Sequence, residues 1–172
     1  RTDAVCFGTL AQRGRVSREA IQRFVHSCPE HALRIFDVNL RQAFYDASVI
    51  EASLRLANVL KISDEELPVL ARMFDLGASV DSQVSKLMDR FGLRLVAYTR
   101  GGRGSLLVTP NEQVEHAGGL SMPVDTVGAG DSYTAAMCMA LLRNDPLPEV
   151  IRKASRVASF VCGERGATPR LP

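Results

Sequence analysis

Short apolar runs alternate with amphipathic stretches along the whole chain. Residues 4–10, 33–38, 59–62 and 94–99 are compact apolar segments of strand length. Between them apolar residues recur three and four apart. In 17–27, Ile21, Phe24 and Val25 share one face, in 48–57 Ile50 and Leu54 do, and 81–91 is a further helix stopped by Gly92. Ser63-Asp64-Glu65-Glu66 has the capping-box pattern and predicts a helix running to about residue 74. Beyond residue 99 the pattern changes. A turn at 101–104 leads into 105–108, Pro110-Asn111 turns the chain again, and 113–116 follows, so the two short segments predict a hairpin. Helices at 131–143 and 147–161 close the chain, separated by Asn144-Asp145-Pro146. Strand–helix alternation predicts an α/β fold with a mostly parallel sheet and helices on both faces. Such a sheet binds ligands at the carboxyl ends of its strands, near a reversal in strand order.

Composition narrows this only slightly. The 172 residues are 46% hydrophobic and 23% charged, with a net charge of +2 from 21 basic and 19 acidic side chains. That gives no global attraction to nucleic acid or to a membrane, and neither is expected as a partner. No run of 18 apolar residues occurs and nothing at the start resembles a signal peptide. Cys6, Cys28, Cys138 and Cys162 are widely spaced and form no metal-binding pattern with the three histidines. Three of them lie in apolar segments, so buried, reduced thiols and a cytoplasmic location are expected. Arg1-Thr2-Asp3 runs directly into apolar sequence without a methionine, as in a chain that begins inside a domain.

The chemistry concentrates at Asp125-Thr126-Val127-Gly128-Ala129-Gly130-Asp131, where a small-residue turn opens a long apolar helix. Gly128 and Gly130 permit a tight turn and close approach of a ligand. The first N–H groups of the helix lack internal partners and lie at the positive end of its dipole, which suits an anion. Asp131 places a carboxylate beside them. Donors for a moving phosphoryl group, and a carboxylate to take a hydroxyl proton, are what phosphoryl transfer needs. Gly128 to Asp131 alone also reads as a plain turn and helix cap.

The whole heptapeptide resembles the C-terminal hallmark of the ribokinase-like (PfkB) carbohydrate kinases, and further matches follow in the family's order. Asp37-Val38-Asn39-Leu40-Arg41 resembles a family segment beside the nucleotide phosphates and sugar; extended through Gln42-Ala43-Phe44 it is most like fructokinase-type members. Ser63-x-x-Glu66 stands where many members carry Asn-x-x-Glu, which helps order magnesium and phosphate through water. The resemblance gives Glu66 that place, whereas Ser63 departs from the pattern, and a simple capping box accounts for both residues. Thr99-Arg100-Gly101-Gly102-Arg103-Gly104 resembles the turn that approaches the nucleotide, implying contacts from Thr99, Gly101 and Gly104. It lacks the Gly-Lys-Ser/Thr ending of a Walker loop, and by itself also reads as a hairpin turn. Gly163 to Pro169 resembles the family's closing Gly-Ala-x-Pro segment. In potassium-stimulated members that loop holds a monovalent cation with backbone oxygens, by position those of Asp125, Val127, Val161, Glu164 and Gly166; a plain surface loop is the alternative.

The resemblance implies a three-layer α/β/α Rossmann-like (ribokinase-like) fold without its N-terminal part and lid, residues 1–172 being the C-terminal nucleotide-binding and catalytic portion of a single domain. It implies transfer of the γ-phosphoryl group of ATP, with Mg2+ and in some members K+, to a primary hydroxyl of a small sugar. Asp131 is then the general base, and the N–H groups of Gly128, Ala129 and Gly130 form the anion hole. Arg41, with Asn39 and Asp37 beside it, meets phosphate or substrate. Fructose is the first candidate; ribose, 2-keto-3-deoxygluconate and nucleosides stay open, as do a homodimer and a non-catalytic, kinase-derived binding module. A dinucleotide-binding domain is disfavoured, because no Gly-x-Gly-x-x-Gly follows the first strand. The residues alone are expected to be inactive and to self-associate through an open sheet edge.

Overall fold

The computed structural model describes residues 2–42, 45–119 and 123–171. Among the described residues six strands carry the architecture: β1 (Ala4–Phe7), β2 (Leu33–Asp37), β3 (Val59–Ser63), β4 (Leu95–Thr99), β5 (Gly104–Val108) and β6 (Gln113–Ala117). Six helices accompany them: α1 (Arg15–Ser27), α2 (Ala47–Leu56), α3 (Leu67–Phe74), α4 (Val80–Phe91), α5 (Ala129–Leu142) and α6 (Leu147–Gly163). Strands β1, β2, β3 and β4 lie side by side in chain order. The chain divides into two compact units, Arg1–Tyr98 with Val108–Glu112, and Thr99–Leu107 with Gln113–Pro172.

In the first unit, β1 pairs parallel with β2 and β2 with β3. Arg94 N–H donates to Asn58 O at 2.8 Å, tying the entry of β4 to the entry of β3 as parallel neighbours require. Ile35, Phe36, Leu60 and Ile62 from the strands are fully buried with Ile50 and Leu54 of α2. Caps define the helices. Asp46 accepts from Val49 N–H at 2.9 Å ahead of α2, and Ser79 does the same for Ser82 N–H at 3.2 Å ahead of α4. Gly92, with φ 65°, ends α4 in the left-handed conformation that favours glycine.

Several boundaries and exposures differ from the sequence reading. β1 stops at Phe7 rather than at residue 10, because Gly8 lies against β2: a Cβ there would be 2.9 Å from Asp37 O. Leu10–Gln12 then form a short 3-10 turn. The capping-box bonds between Ser63 and Glu66 are both made, but they close a separate turn. α3 itself begins at Leu67, with a proline in its first turn. On α1 only Val25 is buried, while Phe24 is 52% exposed. The expected buried thiols are also corrected: Cys6 is exposed, and Cys28, Cys138 and Cys162 are half-buried. Cys6 sits on the outermost strand, so the face its side chain takes is not covered.

In the second unit, α5 and α6 pack on each other, and α6 meets β6. Met137, Val150, Ile151 and Ala154 are buried in that packing. α5 is apolar on nearly every side, and Met139 and Leu142 lie exposed on the face turned from its core. No helix among the described residues is long and apolar enough to cross a membrane.

Candidate active site

The glycine turn after β4 is built from its own backbone. Arg100 N–H donates to Gly104 O at 2.8 Å and Arg103 N–H to Arg100 O at 3.1 Å. A Cβ on Gly104 would lie 2.0 Å from His116 O, so two backbone segments touch there and no other residue fits. Arg100 pairs with Glu115 at 2.6 Å through Nη2, while its Nε is buried without a partner, as is His116 Nδ1. Buried orphan polar atoms of this kind call for a water or a ligand.

The second glycine turn sets the start of α5. Gly128, with φ 82°, is its N-cap. Ala129 N–H reaches back to Thr126 O at 3.3 Å, a long bond. The N–H groups of Gly128, Gly130 and Asp131 find no acceptor among the described residues. The free donors thus include Asp131 N–H, which the sequence reading did not count, while Ala129 N–H is weakly engaged. Asp131 lies in the first helical turn, exposed, with no side-chain partner among the described residues.

The helix carrying Asp131 is held by a buried hydroxyl chain. Tyr133 Oη donates to Ser105 Oγ at 3.1 Å, and Ser105 Oγ lies 3.2 Å from Ser155 Oγ. Burial pushes the Tyr133 phenol up to about 12, so it stays a neutral donor. The chain joins α5 to β5 and α6 and places the carboxylate on a rigid element. The sequence analysis missed these residues; the one available signal was a hydroxyl-bearing ring inside the apolar run.

Asp125 stitches the turn to the C-terminal loop. Its Oδ1 accepts from Val127 N–H at 3.0 Å and its Oδ2 from Gly166 N–H at 3.1 Å. Val124 and Asp125 N–H both donate to Cys162 O, at 2.8 and 3.2 Å. Val161 O accepts from Glu164 N–H, leaving one of its lone pairs. The carbonyls of Asp125, Val127, Glu164 and Gly166 accept no backbone hydrogen bond among the described residues. The two loops named for a monovalent cation are therefore joined, with carbonyl oxygens to spare.

The N–H groups of Val127 and then Gly166 hold the Asp125 carboxyl below the ordinary aspartate value. A group lowered in the folded state stabilises above its unfolded value and loses that contribution as pH falls through its folded value. The stability gap between wild type and Asp125→Ala should therefore be full at neutral pH and shrink as pH drops below about 4. Thermal melts of the pair between pH 2.5 and 7 check this; a gap independent of pH would contradict it.

The remaining candidates lie in the first unit. Asp37 ends β2, buried, and pairs with the buried Lys61 of β3 at 3.1 Å, as their register dictates. Breaking a buried pair leaves one charge uncompensated, a cost of about 3–5 kcal/mol. Asn39 follows with φ 43°, and its backbone oxygen accepts from Thr9 Oγ1 at 3.0 Å. Glu66 uses both carboxylate oxygens on backbone donors, Leu40 N–H at 2.9 Å and Ser63 N–H at 2.8 Å. Arg41 is exposed, with no hydrogen bond or ion pair among the described residues. Asp37, Asn39 and Glu66 thus meet around one loop. No group of three or more His, Cys, Asp or Glu side chains among the described residues is placed to hold a metal ion directly.

Comparison with known proteins gives the family. Residues 3–172 match the family model described as pfkB family carbohydrate kinase. A putative sugar kinase of Pyrococcus horikoshii is 30% identical over 176 residues, 96% of this chain and 53% of that protein. Its crystal structure in complex with ATP has a TM-score of 0.78 at 28% identity, covering 99% of this chain and 55% of that one. A fructokinase of Vibrio alginolyticus is 28% identical over 148 residues, 80% of this chain and 47% of that protein. The structure of Vibrio cholerae fructokinase with fructose, ADP and calcium has a TM-score of 0.84 at 23% identity, covering 97% of this chain and 56% of that one, a likeness of fold. The chain spans about half the length of the curated relatives it matches. With a match over nearly its entire length and an α/β sheet shared with ribokinase-like structures, the chain belongs to the pfkB family of carbohydrate kinases.

Proposed function

We propose that this chain is the C-terminal, nucleotide-binding and catalytic portion of a single ribokinase-like domain. The enzyme it serves moves the γ-phosphoryl group of ATP to a primary hydroxyl of a small sugar. The observation that carries this reading is the start of α5, where three N–H groups have no acceptor among the described residues and the exposed Asp131 carboxylate lies in the same turn. Asp131 takes the proton of the sugar hydroxyl as its oxygen attacks phosphorus, and the N–H groups of Gly128, Gly130 and Asp131 stabilise the phosphoryl oxygens. Ala129 N–H joins them once its long bond to Thr126 O yields. Arg41, exposed and without a partner among the described residues, offers its guanidinium to phosphate or sugar oxygen.

ATP fits the turn formed by Thr99, Gly101 and Gly104, where the buried Arg100 Nε awaits an acceptor. Magnesium arriving with the nucleotide would neutralise phosphate charge, bound mostly through water, with Glu66 the candidate to help order that water. A potassium ion fits the spare carbonyls of Asp125, Val127, Val161, Glu164 and Gly166. We assign the protein to the cytosol, in keeping with four free cysteines.

Fructose is the first acceptor to test, since fructokinases stand among both the relatives and the solved structures. The panel should include ribose, a nucleoside and 5-dehydro-2-deoxygluconate, the last because a Bacillus anthracis kinase named for it is 24% identical over 164 residues. ATP-dependent phosphorylation of one of these by the full-length protein, absent from residues 1–172 alone, is the expected result. ATP binding without turnover on any acceptor would favour a binding module. Full turnover by residues 1–172 would show that they build the sugar site themselves.

A further inference from the structure

The loop Asp37–Arg41 carries its polar side chains in an unusual way. Asn39 sits at φ 43°, a left-handed angle that costs a non-glycine residue about 1 kcal/mol or more unless its surroundings enforce it. Those surroundings grip the backbone from three directions. Val38 N–H is held by Lys61 O at 3.2 Å, at the end of β3. The buried Thr9 hydroxyl is shared between Val38 O at 2.9 Å and Asn39 O at 3.0 Å. Leu40 N–H is held by Glu66 Oε1 at 2.9 Å, while the other oxygen of Glu66 is anchored on Ser63 N–H. From Val38 to Leu40 every hold falls on backbone, and the side chains of Asn39 and Arg41 are left without a partner among the described residues. That division suits a presenting loop, since a surface turn would need neither the buried hydroxyl nor the carboxylate.

We infer that Thr9 and Glu66 are positioning residues that lock this loop and thereby set where Arg41 meets the substrate. Thr9 acts from the turn after β1 and Glu66 from the turn before α3, so the two grips are independent. The inference rests on the proposed role of Arg41 and deepens it.

A double-mutant cycle on kcat/KM in the full-length enzyme tests it. Thr9→Val keeps the shape of the side chain and removes the hydroxyl. It should lower kcat/KM about tenfold or more, because small misplacements of a binding group are costly. Thr9→Ser should restore it. In an Arg41→Ala background, Thr9→Val should cost nothing further. Equal losses in both backgrounds, or no loss in either, would overturn the inference. If Thr9→Val fails to fold, Thr9→Ala takes its place in the same cycle with the same outcomes.

A second readout needs no activity. Hydrogen exchange at the Leu40 amide should be slow in the wild type and at least about tenfold faster in Glu66→Ala, with the amides of Leu60, Lys61 and Ile62 unchanged; unaltered exchange at Leu40 would also overturn the inference. If Arg41→Ala alone leaves kcat/KM intact, the role of Arg41 fails, and Leu40 exchange still decides whether the grip exists.

Discussion

Asp131→Asn should lower kcat of the full-length enzyme by about two to four decades, the usual worth of a positioned general base. ATP affinity should change little, because asparagine keeps the size of the side chain and the backbone donors remain. The argument is geometric. The carboxylate stands in the first turn of α5, exposed and unpartnered among the described residues, on a helix held by Tyr133, Ser105 and Ser155. Steady-state kinetics with isothermal titration of ATP separate the two quantities. Normal turnover in the variant would end the assignment of the base; equal losses of turnover and ATP affinity would point to a collapsed turn instead.

Gly128→Ala should be strongly damaging at the start of α5. Gly128 has φ 82°, and a Cβ there would lie 2.4 Å from Ala167 O and 2.9 Å from Ala167 Cα. Both obstacles are backbone, so one loop must move. The strained angle alone costs roughly 1–3 kcal/mol, and the displaced turn carries the donors at the start of α5. A lower melting temperature and at least about tenfold weaker ATP binding are the expected outcome. Gly163→Ala serves as the control, since nothing lies within 4 Å of its Cβ position and its φ is not left-handed. Equal behaviour of the two variants would mean that close packing at Gly128 is not what shapes the turn.

Much of the fold was legible where a local signal and the final packing agree. The alternation of apolar runs with 3.6-residue periodicity located all six strands and all six helices to within a few residues, since these patterns are the faces that must be buried. Gly92 marked the end of α4 because its left-handed angle is a local property. Ser63 and Glu66 were legible as a reciprocal pair, because their bonds span three residues.

Other features escaped because their partners are distant in the chain. The Leu40–Glu66 bond spans 26 residues and the Thr9–Asn39 bond 30, and no local pattern announces either. Phe24 and Cys6 were misjudged for the opposite reason. Hydrophobicity says what prefers burial, but whether a face is covered depends on which neighbour lies over it.

By itself the sequence determined the α/β class, the family, the two glycine turns and the candidate carboxylate, because each depends on residue type and spacing along a continuous stretch. Only the tertiary structure decided which N–H groups at α5 stay free, that a backbone carbonyl of residue 167 requires glycine at 128, and that Thr9, Lys61 and Glu66 grip one loop from three elements. Those facts are contacts between segments far apart in the chain, and they exist only once the sheet has set its register.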